Sequence, residues 1–129
     1  MNRALALLIV FIIALASTGC PDSREQAGEV VNVEVTGDTA PLSIEPDPVT
    51  THRGDTVRWF HATADSLIID LRGDTLGLPT ADSLLSVAEG DTARTTIRSD
   101  AAYGRYKYTV TVVAGELRTS EDPHIIVEQ

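Results

Sequence analysis

The chain has one cysteine, one tryptophan, one lysine and, beyond Met1, no methionine. With one cysteine no intrachain disulfide can form, so packing alone must hold the fold. Basic residues are scarce: ten Lys plus Arg stand against nineteen Asp plus Glu, a net charge of −9. That sign repels nucleic-acid phosphates, so no nucleic-acid partner is expected. It also repels an anionic lipid surface, so charge does not hold the chain to a membrane. After the first twenty residues no segment sustains a 3.6-residue apolar period, which removes helical bundles. The catalytic signatures are missing too. Ser66 and Ser83 have no Gly-x-Ser-x-Gly context and no partnered histidine. No carboxylate pair is marked out for general acid–base work. An enzyme is therefore not expected, and no catalytic residue is assigned.

What is present begins at the N-terminus. Arg3 gives a positive start, and Ala4 to Ala16 is an apolar run of about thirteen residues, the length of a signal-peptide core and too short to cross a bilayer. Ser17-Thr18-Gly19 are small and lead directly to Cys20. This arrangement resembles the lipobox of bacterial lipoproteins, with Ser17 standing where the family has an aliphatic residue. The resemblance implies a lipidated Cys20, cleavage before it, and an acyl anchor in the cell envelope. An ordinary secretory signal and an uncleaved membrane anchor are the alternatives. Residues 1–19 are read as the signal peptide, with a helical core, and residues 20–29 as a lipidated tether. The polar stretch Pro21–Glu29 reaches at most ~30 Å, so the domain stays near its membrane. The domain itself is residues 30–129, enough for one core.

From Val30 onward the pattern is β. Val31, Val33 and Val35 alternate with polar residues. Leu42-Ser43-Ile44 precedes Pro46 and Pro48, which confine it to an edge or a bend. Thr56–Phe60 follows a Gly-Asp turn; Leu67, Ile69 and Leu71 share a face; Ala93, Thr95 and Ile97 share another. Tyr106, Tyr108, Val110 and Val112 form the cleanest period-two run, and Ile125-Ile126-Val127 closes the chain. Ala81 to Ala88 reads as a helical turn or two. About seven short strands at this spacing predict a β-sandwich. Gly-Asp-Thr recurs at Gly37, Gly54, Gly73 and Gly90, as a turn that ends one strand and opens another. Thr63–Leu67 is echoed at Thr80–Leu84, which reads as a small alphabet reusing good turns or as a duplicated unit.

Leu42–Pro46, Val49 and Arg53-Gly54-Asp55-Thr56-Val57-Arg58-Trp59, then Tyr103-Gly104-Arg105-Tyr106-Lys107-Tyr108 and a final Ile-Ile-Val strand, resemble the cupredoxin family over most of residues 30–128. The resemblance implies a Greek-key β-sandwich. It also implies where copper ligands would lie. The family's first histidine would fall at about Asp65–Ser66, its cysteine at Val110 and its second histidine near Val113. A blue copper site needs two His, a Cys thiolate and usually a Met. None of these matched positions carries one, so no metal and no cofactor are expected.

Other donors form no convincing set. His52 and His61 flank one strand, and His124 precedes the last. All three read as isolated surface or loop histidines. Glu45 with Asp47, or Asp70 with Asp74, lacks calcium-loop spacing. Trp59, Tyr106 and Tyr108 read as core. The least regular stretch, Thr75 to Glu89, is the expected place for a binding surface. The chain is thus expected to be a lipid-anchored, non-enzymatic binding or interaction module of the envelope. Its partner is the membrane, through the anchor, together with an unnamed protein or small ligand. Two alternatives are a copper-handling or electron-transfer protein with a non-blue site, and an immunoglobulin-like or carbohydrate-binding accessory domain.

Overall fold

The structure is a computed structural model and describes residues 28–73 and 76–129. The signal segment, Cys20 and most of the tether lie outside those residues. Eleven strands follow in order: β1 (Val30–Thr36), β2 (Ser43–Glu45), β3 (Val49–His52), β4 (Thr56–Phe60), β5 (Ser66–Asp70), β6 (Leu84–Ala88), β7 (Thr92–Thr96), β8 (Gly104–Lys107), β9 (Thr109–Ala114), β10 (Leu117–Glu121) and β11 (His124–Glu128). They form three sheets. Sheet I has the order β2-β1-β4-β7, sheet II β10-β9-β5-β6, and sheet III β3-β11-β8. Two pairings are parallel, β1 with β4 and β3 with β11, so the chain cannot be a simple meander. Only Tyr108 separates β8, at the edge of sheet III, from β9, an inner strand of sheet II, so the chain passes directly from one sheet into the other.

Alternation decides which residues meet. Val33 and Val35 from β1, Val57 and Trp59 from β4, and Ala93 from β7 point inward from sheet I. They meet Leu67, Ile69, Val110 and Val112 of sheet II and Tyr106, Ile125 and Val127 of sheet III in one core cluster. Trp59 sits at its centre. Its Nε1–H donates to the Tyr108 hydroxyl at 3.0 Å, and the two rings meet edge to face at 5.6 Å. Burial pushes the Tyr108 phenol above its ordinary range, opposed in part by the bond from Trp59.

The turns carry the rest. Gly54 adopts a φ of 90°, which a Cβ would strain. Beside it, buried Asp55 accepts the backbone N–H of Glu29 at 2.9 Å and of His52 at 2.7 Å. A Cβ on Gly28 would lie 2.4 Å from the Gly54 carbonyl oxygen, so the chain entering β1 presses directly on this turn. Gly28 and Glu29 are therefore packed onto the sandwich.

Three expectations change. The strands number eleven, because two short edge strands add to the alternating ones: β3, whose inward face is only Val49 and Thr51, and the mostly exposed β10. The Tyr106–Val112 run is two strands in two sheets, although every member of the run points inward. Leu84–Ala88 is an edge strand paired antiparallel with β5, where a helical turn was expected. The proline constraint holds: β2 and β3 both lie on sheet edges.

Candidate functional site

Two places on the sandwich bear on function. The first is the end where β5 and β9 run together. Ser66 and Val113 are cross-strand partners there, and the Asp65 N–H donates to the Val113 carbonyl at 2.8 Å. Three residues earlier on β9, Val110 is fully buried beside Ile69. Beyond it the chain folds into the β9–β10 hairpin through Gly115, whose N–H donates to Asp65 Oδ2 at 2.7 Å. Of the three positions at which the sequence resemblance places copper ligands, Asp65–Ser66 and Val113 are neighbours, while Val110 lies three residues away along β9 and faces the core. They are occupied by a carboxylate already used by the hairpin, a hydroxyl and two valines.

The histidines do not converge on that end. His61 lies in a loop, as read, but is buried there and not at the surface. Its Nε2 lies 2.7 Å from the Gly37 carbonyl, while Nδ1 accepts the N–H groups of Thr63 and Ala64 at 3.2 and 2.9 Å. Both ring nitrogens are consumed in holding two loops. His52 is exposed, 3.6 Å from Asp55 and 3.8 Å from Glu128. His124 is half-buried, and its backbone N–H donates to Asp47. Asp70 is bound in a bidentate fork by Arg72, whose hydrogen bonds hold the carboxyl below the usual range. Among the described residues no group of three or more His, Cys, Asp or Glu is placed to hold a metal ion.

The second place is the solvent face of sheet I. An open groove of about 580 Å³ crosses it, lined by Asn32, Glu34, Glu45, Arg58, Phe60 and Thr92. Strand register lays these out in rows. Asn32 and Arg58 form one row, which continues past the groove lining to Arg94; Glu45, Glu34, Phe60 and Thr92 form the next. Arg58 Nε is shielded from water and has no hydrogen-bond partner. A buried donor left unmade costs about 1–3 kcal/mol, more when the group is charged. Phe60 remains 42% exposed beside it. Sequence reading missed this groove, because its residues are the ordinary outward half of each alternating strand. The expected binding stretch, 75–89, is tied to the sandwich at several points, while most of its described residues stay exposed. Pro79 and Thr80 are buried, Thr80 bridges to Ile97, and Leu84–Ala88 joins sheet II.

No protein-family model and no curated protein matches the chain. Solved structures do. An oxidised variant of amicyanin superposes with a TM-score of 0.50 at 16% identity, covering 77% of this chain and 82% of that one. The reduced Cu(I) form at pH 4 of a second amicyanin variant gives a TM-score of 0.46 at 17% identity, with the same coverage. The fold is cupredoxin-like. At such identity the likeness speaks for the sandwich and its strand order, and function has to be argued from the site. The β5–β9 end and the groove on sheet I belong to different sheets of the sandwich.

Proposed function

We propose that this protein is a lipid-anchored envelope lipoprotein whose cupredoxin-like sandwich is a non-enzymatic binding module without a copper site. One observation carries the second half of the reading: Val110, at the position matched to the family's thiolate, is packed into the core against Ile69. An aliphatic side chain has no lone pair to donate, and Val113 repeats the problem at the position of the second imidazole. The donor set at this end therefore does not fit copper. His61, the one buried imidazole, has both nitrogens occupied. The copper-handling or electron-transfer reading rests on the fold likeness alone. The immunoglobulin-like alternative loses its ground, since the topology is cupredoxin-like.

The anchor half rests on sequence chemistry. A lone cysteine after small residues and a short apolar run is suited to acylation, and several acyl chains hold a protein that charge would repel. Membrane fractionation of cells expressing the parent and Cys20→Ser tests it. The parent is expected with membranes and the variant in the soluble fraction or uncut. A variant that fractionates and migrates like the parent would sink the lipoprotein reading.

A further inference from the structure

The solvent face of sheet I carries a charge arrangement that stability alone does not favour. Arg58 and Arg94 are direct cross-strand partners on β4 and β7 and project from the same face. Like charges so placed repel. Neither guanidinium has an ion pair or a hydrogen bond among the described residues, in a protein with nearly twice as many acidic as basic residues. Arg72 and Arg98, by contrast, each grip a carboxylate with two N–H groups. Arg53 lies over the Tyr103 ring at 4.0 Å and donates to the Ala101 carbonyl. Arg58 has also already lost the water from its Nε.

We propose that the Arg58–Arg94 pair is an oxyanion site, taking a small ligand with a carboxylate or phosphate group and an apolar body that rests on Phe60. A guanidinium presents its donors in a planar fork that matches either group, and two forks side by side can share one anion. Asn32, opposite Arg58 on β1, adds an amide to the same row. Phe60 lies two residues along β4, ~7 Å from the Arg58 row, which is about the length of one ring-sized body. The row that carries Phe60 also carries Glu34, its partner on β1, and Glu45 beyond it. Those carboxylates oppose any anion that extends across the face. Together with the net charge of −9 they limit the ligand to a compact one and disfavour polyanions and anionic lipid surfaces.

This inference rests on reading the domain as a binding module, and its test is separable from the copper test of that reading. The full-length protein in uncharged detergent is titrated with sodium benzoate, with phenyl phosphate and with neutral benzyl alcohol, following heat of binding and melting temperature. Benzoate or phenyl phosphate should bind saturably and more weakly as salt rises, and the tighter of the two assigns the anion as carboxylate or phosphate. Benzyl alcohol should not saturate. Arg58→Gln and Arg94→Gln should each weaken the better anion at least about tenfold. Arg94 is exposed, so its variant keeps the fold and the test if Arg58→Gln does not. Glu34→Gln should tighten phenyl phosphate. The site is refuted if neither anion binds, if Arg94→Gln binds like the parent, or if benzyl alcohol binds equally well. Such a failure leaves the metal-free module standing. Stoichiometric copper would overturn the module whatever the titration gives.

Discussion

Replacing Tyr108 with Phe removes one oxygen atom from the centre of the core and nothing else. Trp59 is fully buried, and its Nε1–H donates to that hydroxyl at 3.0 Å. The ring contact at 5.6 Å survives in Phe, so aromatic packing should change little. What remains is an indole donor inside an apolar cluster with no acceptor. Such an orphan costs about 1–3 kcal/mol. For a domain of this size, a loss near 2 kcal/mol lowers the melting temperature by roughly 8–16 °C. The paired change is informative because the penalty belongs to the orphan and not to the missing bond. Trp59→Phe leaves no donor to strand, so adding Tyr108→Phe to it should cost clearly less than Tyr108→Phe costs alone. Thermal unfolding of the parent, the two single variants and the double variant, followed by circular dichroism, gives the coupling directly. A coupling of about 1 kcal/mol or more is expected, since contacting residues in one network fail to add. Additivity within about 0.5 kcal/mol, with Tyr108→Phe as stable as the parent, would refute the reasoning and mean that water or another acceptor reaches the indole.

Other consequences follow from particular side chains. Burial raises the Tyr108 phenol pKa above its unfolded value. The stability it contributes is therefore fully present below a pH of about 10 and is lost as pH rises toward the folded-state value. Alkaline titration should show Tyr108 phenolate absorbance only together with loss of tertiary structure; ionisation in the folded protein would contradict its burial. His61→Ala strands the N–H groups of Thr63 and Ala64 and frees the Gly37 carbonyl. It should lower unfolding free energy by about 1–3 kcal/mol in urea, and an unchanged midpoint would show that the ring does not hold the two loops. Asp55→Ala leaves the N–H groups of Glu29 and His52 without their acceptor. It should speed hydrogen exchange at both amides, and exchange like the parent's would remove Asp55 as the clasp between β1 and the β3–β4 turn.

Where local pattern and tertiary packing agree, the fold was legible. Thr56–Phe60 follows a Gly-Asp turn and alternates cleanly, and β4 has those bounds. The strands that were missed lie where the sandwich gives no alternation to read. Leu84–Ala88 is a sheet edge on which no residue is fully buried. Its Leu, Ser and Ala suit a helix as well, and only its partner β5 makes it a strand. Leu117–Glu121 is likewise a mostly exposed edge. The division at Tyr108 left no trace because Tyr106, Tyr108 and Val110 are all buried in the core, so the alternation runs through the break. The groove was illegible for another reason. Asn32, Arg58 and Thr92 lie far apart in sequence, and only strand register sets them side by side on one face.

The most direct test of the account is the copper content of the purified full-length protein. Cells are grown with added copper, the protein is dialysed against a weak chelator, and metal per chain is measured beside the visible spectrum and the melting temperature. With Val110 in place of a thiolate and both His61 nitrogens occupied, well under one copper per chain should remain. No intense blue band should appear, and added Cu²⁺ should leave the melting temperature unchanged, since a ligand that does not bind the native state cannot stabilise it. One copper per chain surviving dialysis, with a clear rise in melting temperature, would contradict the account and make this a copper protein.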